Sequence, residues 1–214
     1  MFSCAMCEKH SCLTGDLSNA PKNCPCLLPE RDKALEKYQG EQLKIALAAA
    51  SVERDGYREW IRLEEIMEFA NRLGMKKLGL AFCMGLYKEA RTVAKVFRSN
   101  GFEVESVGCK NCSVDKDELM KGLRRQENFE PMCHPAGQAE FLEKAGTELN
   151  VVLGLCVGHD TLFFMNTRTP STVLAVKDRV MGHNPIAGVY AADGYRKDLY
   201  TYLEKDKRRV KNTN

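Results

Sequence analysis

The spacing of apolar residues divides the chain into helical and extended stretches. In residues 58–73 apolar side chains recur every three or four positions and end before Gly74, the period of a helix with one buried face. Three such stretches precede any strand. The pattern predicts helices at 29–38, 41–54, 58–73, 85–100, 115–123, 135–145, 158–166 and 186–191.

Short apolar runs of another kind begin after Gly74. The clearest is Leu-Asn-Val-Val-Leu-Gly-Leu-Cys at 149–156, which is short and bounded in the way typical of a buried strand. Because strands and helices alternate here, we expect an α/β fold with a mostly parallel open sheet, flanking helices and a small N-terminal cysteine-rich metal-binding segment. The predicted strands are 77–83, 102–109, 149–156 and 171–177.

The same pattern predicts four consecutive segments. Residues 1–29 are rich in cysteine and proline and have almost no apolar periodicity, so they cannot bury a core. Residues 30–74 form a helical segment expected to pack on the main domain. Residues 75–195 form the α/β domain with a cysteine-lined edge, and residues 196–214 are a basic C-terminal tail.

Composition and charge exclude some classes of protein. Hydrophobic residues make up 44% and charged residues 29% of the 214 residues, so a core is available. Residues 196–214 contain seven basic and three acidic residues, whereas the rest of the chain contains 25 basic and 26 acidic residues. The formal net charge of +3 therefore comes from residues 196–214. Since no basic face is indicated, we expect no nucleic-acid partner.

Nothing in the sequence predicts a membrane protein. No uncharged run reaches the roughly 18 residues that a membrane helix needs. The start Met1-Phe2-Ser3-Cys4 lacks the basic and apolar regions of a secretory signal, so we expect a cytoplasmic protein. Ten cysteines in a reducing compartment are then candidates for metal binding or thiol chemistry rather than disulfides.

Four N-terminal cysteines have the spacing of a metal site. Cys4 and Cys7 form a C-x-x-C pair, Cys12 follows, and Cys24 precedes a proline. Four thiolates suit tetrahedral zinc, and a [4Fe–4S] cluster uses the same number of ligands. Metal binding would also supply folding free energy to a segment without a core. Cys26 is a fifth thiol that could exchange roles with Cys24.

A second set of thiols is expected at one edge of the sheet. Three predicted strands end in cysteine, and the carboxyl ends of parallel strands meet at one edge, where ligands bind. A fourth cysteine precedes a helix that begins at the same edge. Converging thiols are what a soft metal or an iron–sulfur cluster requires. The residues, here called the edge cysteines, are Cys83, Cys109, Cys133 and Cys156.

Other chemistry could use the same edge. Residues 154–158 read Gly-Leu-Cys-Val-Gly, a nucleophile elbow with Cys156 as nucleophile, followed by Asp178 and His183, with His159 as a second base. This hydrolase alternative leaves the other edge cysteines unexplained. His159, His183 and Asp178 are our candidate catalytic residues in either kind of enzyme.

Further alternatives stay open. The pair Cys109 and Cys112 could be a redox C-x-x-C, and the chain could be a zinc-stabilised binding module. The sequence Lys177-Asp178-Arg179 places three charges beside any bound substrate. We therefore expect either a small-molecule substrate or a redox partner protein, and an iron–sulfur cluster or zinc as the cofactor.

The chain also resembles a family of bacterial and archaeal proteins of unknown function that are described as uncharacterised metal-binding proteins. The resemblance extends to about Tyr190, and its most specific part is the run at 154–160. It implies metal binding and supplies no reaction. The matching stretches are 4–7 with Cys12 and Cys24-Pro25, 82–86 with Glu89-Ala90, 133–135 with Gln138-Ala139, 154–160, and 176–180 with His183-Asn184-Pro185.

Overall fold

The computed structural model describes residues 1–205, which form two compact units. The first runs from Met1 to Leu73 and the second begins at Gly74. No helix in the described residues is both long and apolar enough to cross a bilayer. The α-helices are α1 (Ser11–Thr14), α2 (Glu30–Leu35), α3 (Gly40–Gly56), α4 (Arg62–Arg72), α5 (Tyr87–Ser99), α6 (Lys116–Leu119), α7 (Pro135–Lys144), α8 (His159–Asn166), α9 (Pro185–Ala192) and α10 (Tyr202–Lys205).

The first unit has little regular structure before Gln39. Short 3₁₀ turns at Cys4–Met6 and Pro25–Leu27 contain Cys4 and Cys26. Helices α3 and α4 then pack together, with Val52 and Ile66 among their buried residues. Trp60 lies directly against Gly56, where a Cβ would come within 2.3 Å of its ring. Gly56 is the last residue of α3, so this contact lies where that helix ends.

The second unit contains a sheet of four parallel strands in the order β2-β1-β3-β4, which confirms the predicted fold class. Strand β3 occupies an interior position and all seven of its residues are buried, as a parallel strand covered on both faces requires. The strands are β1 (Lys77–Phe82), β2 (Glu103–Gly108), β3 (Leu149–Leu155) and β4 (Ser171–Val176).

Helices cover the sheet and complete its core. Helix α5 buries Ala90, Val93, Ala94 and Phe97, the apolar stripe expected from its spacing. Helix α7 buries Ala139 and Leu142. The cluster of buried residues that includes Ala139, Leu142 and Phe163 also contains Cys83 and Cys109. Two edge cysteines therefore belong to the core as well as to the end of the sheet.

The predicted elements differ from the observed ones mainly at their ends. Each strand stops one residue before the predicted end, so that Cys83, Cys109 and Cys156 follow the strands directly. The helices predicted at 58–73 and 115–123 differ most, because α4 begins at Arg62 and α6 ends at Leu119. Part of the basic tail forms a 3₁₀ turn, Lys197–Thr201, and α10; residues 206–214 lie outside the described residues.

Candidate metal centre

Backbone hydrogen bonds place the edge cysteines together at the carboxyl end of the sheet. The Cys83 N–H donates to Leu153 O at 3.0 Å, and the Cys109 N–H donates to Phe82 O at 2.9 Å. The ladder therefore continues one residue beyond β1 and β2. The His134 N–H donates to Cys109 O at 2.8 Å, which holds the segment before α7 against the end of β2. Cys133 is thereby brought to the same edge.

Three of the four edge thiols lie in contact. The sulfurs of Cys109 and Cys133 are 3.8 Å apart, and the Cys109 thiol also hydrogen-bonds to Cys83. Backbone N–H groups point at the same sulfurs, since Met84 N donates to Cys109 Sγ at 3.4 Å. Cys83 and Cys109 are buried and Cys133 is half-buried. These three side chains form one thiol cluster.

The cluster carries negative charge on its outer members. The hydrogen bond from Cys109, together with Lys177 and the Gly85 N–H, lowers the pKa of Cys83 to about 5. The hydrogen bond with Cys109, followed by Lys110 and His159, lowers the pKa of Cys133 to about 5. The pKa of Cys109 is raised, because its two thiol neighbours are better stabilised as anions. The contact with Cys109 thus favours the anionic form of Cys83 and of Cys133.

Cationic side chains surround these thiols. Lys177 and Lys110 each lie close enough to stabilise one thiolate, Cys83 and Cys133 respectively. Arg179 Nη2 donates to Cys156 Sγ at 3.2 Å, and the three nearby thiols raise the pKa of the guanidinium. In the described residues, neither lysine nor Arg179 has a carboxylate within 4.0 Å. The thiols are their principal counter-charges.

Cys156 lies near the cluster but has a different partner. No described hydrogen bond joins its sulfur to another cysteine; its sulfur accepts from Arg179, which also lies within electrostatic reach of Cys83 and Cys133. Gly154 precedes it with a φ of +66° inside β3, at a bulge against β4. A Cβ at Gly154 would lie 2.2 Å from the Leu86 side chain, so the turn leading to Cys156 requires glycine.

The candidate catalytic residues divide between two places. The Asp178 N–H donates to His183 Nδ1 at 3.1 Å, while the Asp178 carboxylate accepts the N–H groups of Val180 and Met181. Asp178 and His183 therefore stabilise the turn after β4. His159 lies near Cys133 and helps to lower its pKa. Among the described residues, no histidine hydrogen-bonds to Cys156, so the geometry gives the hydrolase alternative no base in contact with the nucleophile.

Gln138 lies behind the cluster and is a residue that the sequence analysis did not assign to the site. Its side chain is fully buried, and its Nε2 donates to Phe82 O at 3.1 Å and to Val107 O at 2.6 Å. It thus joins the ends of β1 and β2 just before their cysteines. In the described part of the chain its Oε1 has no partner. A buried polar residue on the sheet-facing side of a predicted helix is the signal that identifies it.

Cys112 and His134 form a further contact that the sequence analysis did not predict. The His134 ring Nδ1 lies 3.0 Å from Asn111 Oδ1 and 3.7 Å from Cys112 Sγ. Gly137 leaves the space for this ring, since a Cβ there would lie 2.0 Å from Nδ1. Cys112 is exposed and has a φ of +72°, which breaks the helical turn after β2. It is therefore not part of the buried thiol cluster.

The N-terminal cysteines are also partly brought together. Cys4, Cys7 and Cys24 line one small depression. Asn23 closes it by donating to Met1 O at 2.7 Å and to Ser3 Oγ at 3.2 Å. Cys26 hydrogen-bonds to Cys24, which raises the pKa of the Cys26 thiol, and Cys12 acts on Cys26 electrostatically. Cys12 therefore lies within electrostatic reach of Cys26.

The donor chemistry at both places suits a soft metal. All the donors are thiols, and backbone N–H groups point at the edge sulfurs, as they do around cluster thiolates. A separation of 3.8 Å equals the edge of a tetrahedron with thiolate–metal bonds of about 2.3 Å. In residues 1–205, no three His, Cys, Asp or Glu side chains are already arranged around one point. Metal binding therefore requires the thiols to turn toward a common centre.

Comparisons with known proteins identify relatives without an assigned activity. A family model described as "Protein of unknown function (DUF1847)" matches residues 26–174. The uncharacterized protein MJ0455 of Methanocaldococcus jannaschii is 44% identical over 191 residues, which are 88% of this chain and 94% of that protein. These matches confirm the resemblance to an uncharacterised family with an archaeal member.

A weaker likeness exists to solved structures of Dph2 from Pyrococcus horikoshii, one of which contains a 4Fe–4S cluster. The TM-score is 0.28 and the identity 20%, over 44% of this chain. This chain spans 22% of the length of that protein. At this level the likeness assigns neither fold nor function.

Proposed function

Since the chain belongs to the DUF1847 family of proteins of unknown function, we propose its function from its own residues: it is a metal-binding protein with two cysteine-ligated centres. The first centre is held by Cys4, Cys7, Cys24 and either Cys12 or Cys26. The second is an iron–sulfur cluster held by the edge cysteines. The contact among the thiols of Cys83, Cys109 and Cys133 is the observation that carries the proposal.

The chemistry of the edge cysteines supports metal binding rather than a role in core packing alone. Cysteine is often buried as a small apolar residue, and such a thiol has little reason to meet others. Here three thiols from separate elements meet among cations, and two of them are stabilised as thiolates. Thiolate is the form that binds metal. A negatively charged cluster is also the species that Lys110, Lys177 and Arg179 would stabilise.

The edge centre serves chemistry on a small molecule rather than a purely structural role. Its thiols lie at the end of a parallel sheet, where ligands bind in folds of this kind. The surroundings include His159 and three cations, more polar groups than are needed to hold a buried cluster. A bound cluster would supply redox or Lewis-acid chemistry there. A redox partner protein is the alternative user of the same centre.

The N-terminal centre has a structural role in this proposal. Its cysteines lie in a segment with almost no buried residues, and Ser11 is the one buried residue before Ala48 in the described chain. A bound metal can stabilise such a segment by about 10 kcal/mol. Zinc satisfies this role because it needs only tetrahedral thiolates. The fifth thiol leaves Cys12 and Cys26 as alternatives for the fourth ligand.

Metal analysis of anaerobically purified full-length protein tests the proposal. The wild type should absorb broadly at about 400 nm and bleach with dithionite. Cys109→Ser should lose this absorbance, whereas Cys7→Ser should lose the other metal and keep the absorbance. Cys112→Ser is the matched control, because Cys112 is exposed and lies outside both sets.

The possible results separate the three classes of function. If the protein is colourless and contains zinc, it is a zinc-stabilised binding module rather than an iron–sulfur protein. Pure, folded protein without any metal would refute both centres. A thiol probe that labels Cys156 alone and abolishes hydrolysis of a test ester would favour the hydrolase instead.

A further inference from the structure

The side chain of Lys177 crosses the carboxyl edge of the sheet. Lys177 follows β4, yet its Nζ lies 3.6 Å from the point where a Cβ of Gly85 would be, beside Cys83 at the end of β1. On the way its Cε passes 3.7 Å from the corresponding point of Gly154 on β3. The Lys177 side chain therefore runs past Gly154 and Gly85 from one strand end to the thiol cluster.

Arg179 approaches the same cluster from the same segment. Its Nη2 donates to Cys156 Sγ, which is its one hydrogen bond to a described side chain. A guanidinium group has five N–H donors in a planar fork, so most of its capacity remains unused. Arg179 is also exposed, which leaves this capacity accessible to a ligand from solvent.

The cations at this edge face thiols rather than carboxylates. Lys110, Lys177 and Arg179 have no carboxylate within 4.0 Å among the described residues. Asp178, which lies between Lys177 and Arg179 in sequence, turns its Oδ1 to the N–H groups of Val180 and Met181 and pairs with neither cation. Helices α7 and α8 also begin at this edge, and the amino ends of helices attract negative charge.

We propose that Lys177 and Arg179 form a binding site for a small oxyanion, the carboxylate or phosphate of a substrate that lies beside the edge cysteines. The proposal rests on the metal centre proposed above, and it adds the chemical class of the substrate. The guanidinium fork binds two oxygens of the anion, and the Lys177 ammonium group lies between that anion and Cys83. The substrate is thereby held with its anionic group toward β4 and the remainder toward the thiol cluster.

Calorimetric titration of the metal-loaded full-length protein tests this site. Succinate and inorganic phosphate are the two probes, and the comparison between them distinguishes a carboxylate from a phosphate. We expect one of them to bind the wild type at least tenfold more tightly than it binds Lys177→Gln or Arg179→Gln, since charged hydrogen bonds are lost. Lys144→Gln, an exposed lysine at the far end of α7, should bind like the wild type.

Measured metal content keeps the result unambiguous. Absorbance and elemental analysis are recorded for every variant. If Lys177→Gln does not retain metal, the affinity of Arg179→Gln alone tests the site. Metal-loaded wild type that binds neither probe would overturn the oxyanion site and leave the metal centre standing. Equal affinities for Arg179→Gln and Lys144→Gln would overturn it as well. Wild type without metal would overturn the proposed function, and this inference with it.

Discussion

Replacing Gly154 by alanine should destabilise the second unit by about 2–5 kcal/mol. The left-handed conformation at φ +66° costs a residue with a Cβ about 1–2 kcal/mol. The new methyl group would also lie 2.2 Å from Leu86 Cδ1 and 3.3 Å from its Cγ, and overpacking of this kind costs about 1–3 kcal/mol. The expected range is the sum of these two costs.

A matched glycine separates these two contributions. Gly146 also has a positive φ, +73°, but a Cβ there would meet no atom within 4 Å. Gly146→Ala should therefore cost only the conformational part, about 1–2 kcal/mol. Urea unfolding followed by circular dichroism gives the free energy of unfolding for both variants and the wild type.

A double variant tests whether Leu86 causes the additional destabilisation of Gly154→Ala over Gly146→Ala. Leu86→Ala removes the side chain that the new methyl group would meet, so Gly154→Ala should cost less in that background than in the wild type by about 1–3 kcal/mol. If Gly154→Ala costs no more than Gly146→Ala, or if Leu86→Ala gives no relief, then the close approach of Leu86 does not constrain this turn.

Two further predictions concern buried polar groups in the same unit. The Arg125 N–H and Lys116 lower the pKa of Glu130 to about 2. Glu130 therefore stabilises the fold above its unfolded pKa of about 4.5 and loses this effect as the pH falls toward 2. Between pH 4.5 and 2, the urea midpoint of the wild type should fall more steeply than that of Glu130→Gln. Gln138→Glu places a carboxyl group against two carbonyl oxygens, so its deficit in stability should grow as the pH rises from 4 to 8, and a deficit independent of pH would contradict the observed contacts.

The elements predicted best are those whose apolar pattern matches their final burial. The continuous run in β3 and the stripe of α5 are local signals, and both are present in the sequence. Helix α6 could not be bounded in this way. It ends early because Asp115 pairs with Arg124 and Lys116 with Glu130, and these contacts fold the following residues back. The spacing of apolar residues does not predict such ion pairs.

The start of α4 shows the same limit within the first unit. The stripe predicted a helix from residue 58, whereas α4 begins at Arg62. Trp60 packs on Gly56, and the Glu64 carboxylate accepts the Ile61 N–H at 2.8 Å, which fixes the first turn four residues later. A side chain that folds back on the preceding helix cannot be read from spacing alone.

For the candidate site, topology was predictable and side-chain contacts were not. Cysteines at the ends of parallel strands must share an edge, so the meeting of Cys83 and Cys109 follows from the order of elements. The pairing of Cys156 with Arg179 depends on side-chain rotamers and on the turn after β4. The assignment of the edge cysteines as metal ligands stays a prediction, as do the catalytic roles of His159, His183 and Asp178.

The separation of the edge cysteines along the chain determines when their site can exist. Cys83 and Cys156 are 73 residues apart in sequence and come near each other only once β1 and β3 are paired. Cys4 to Cys26, in contrast, lie within one short segment, whose loops close at little entropic cost. During synthesis the amino-terminal thiols can therefore meet before the sheet is complete, whereas the edge thiols meet last. A metal delivered to the edge would thus be inserted into an already folded protein.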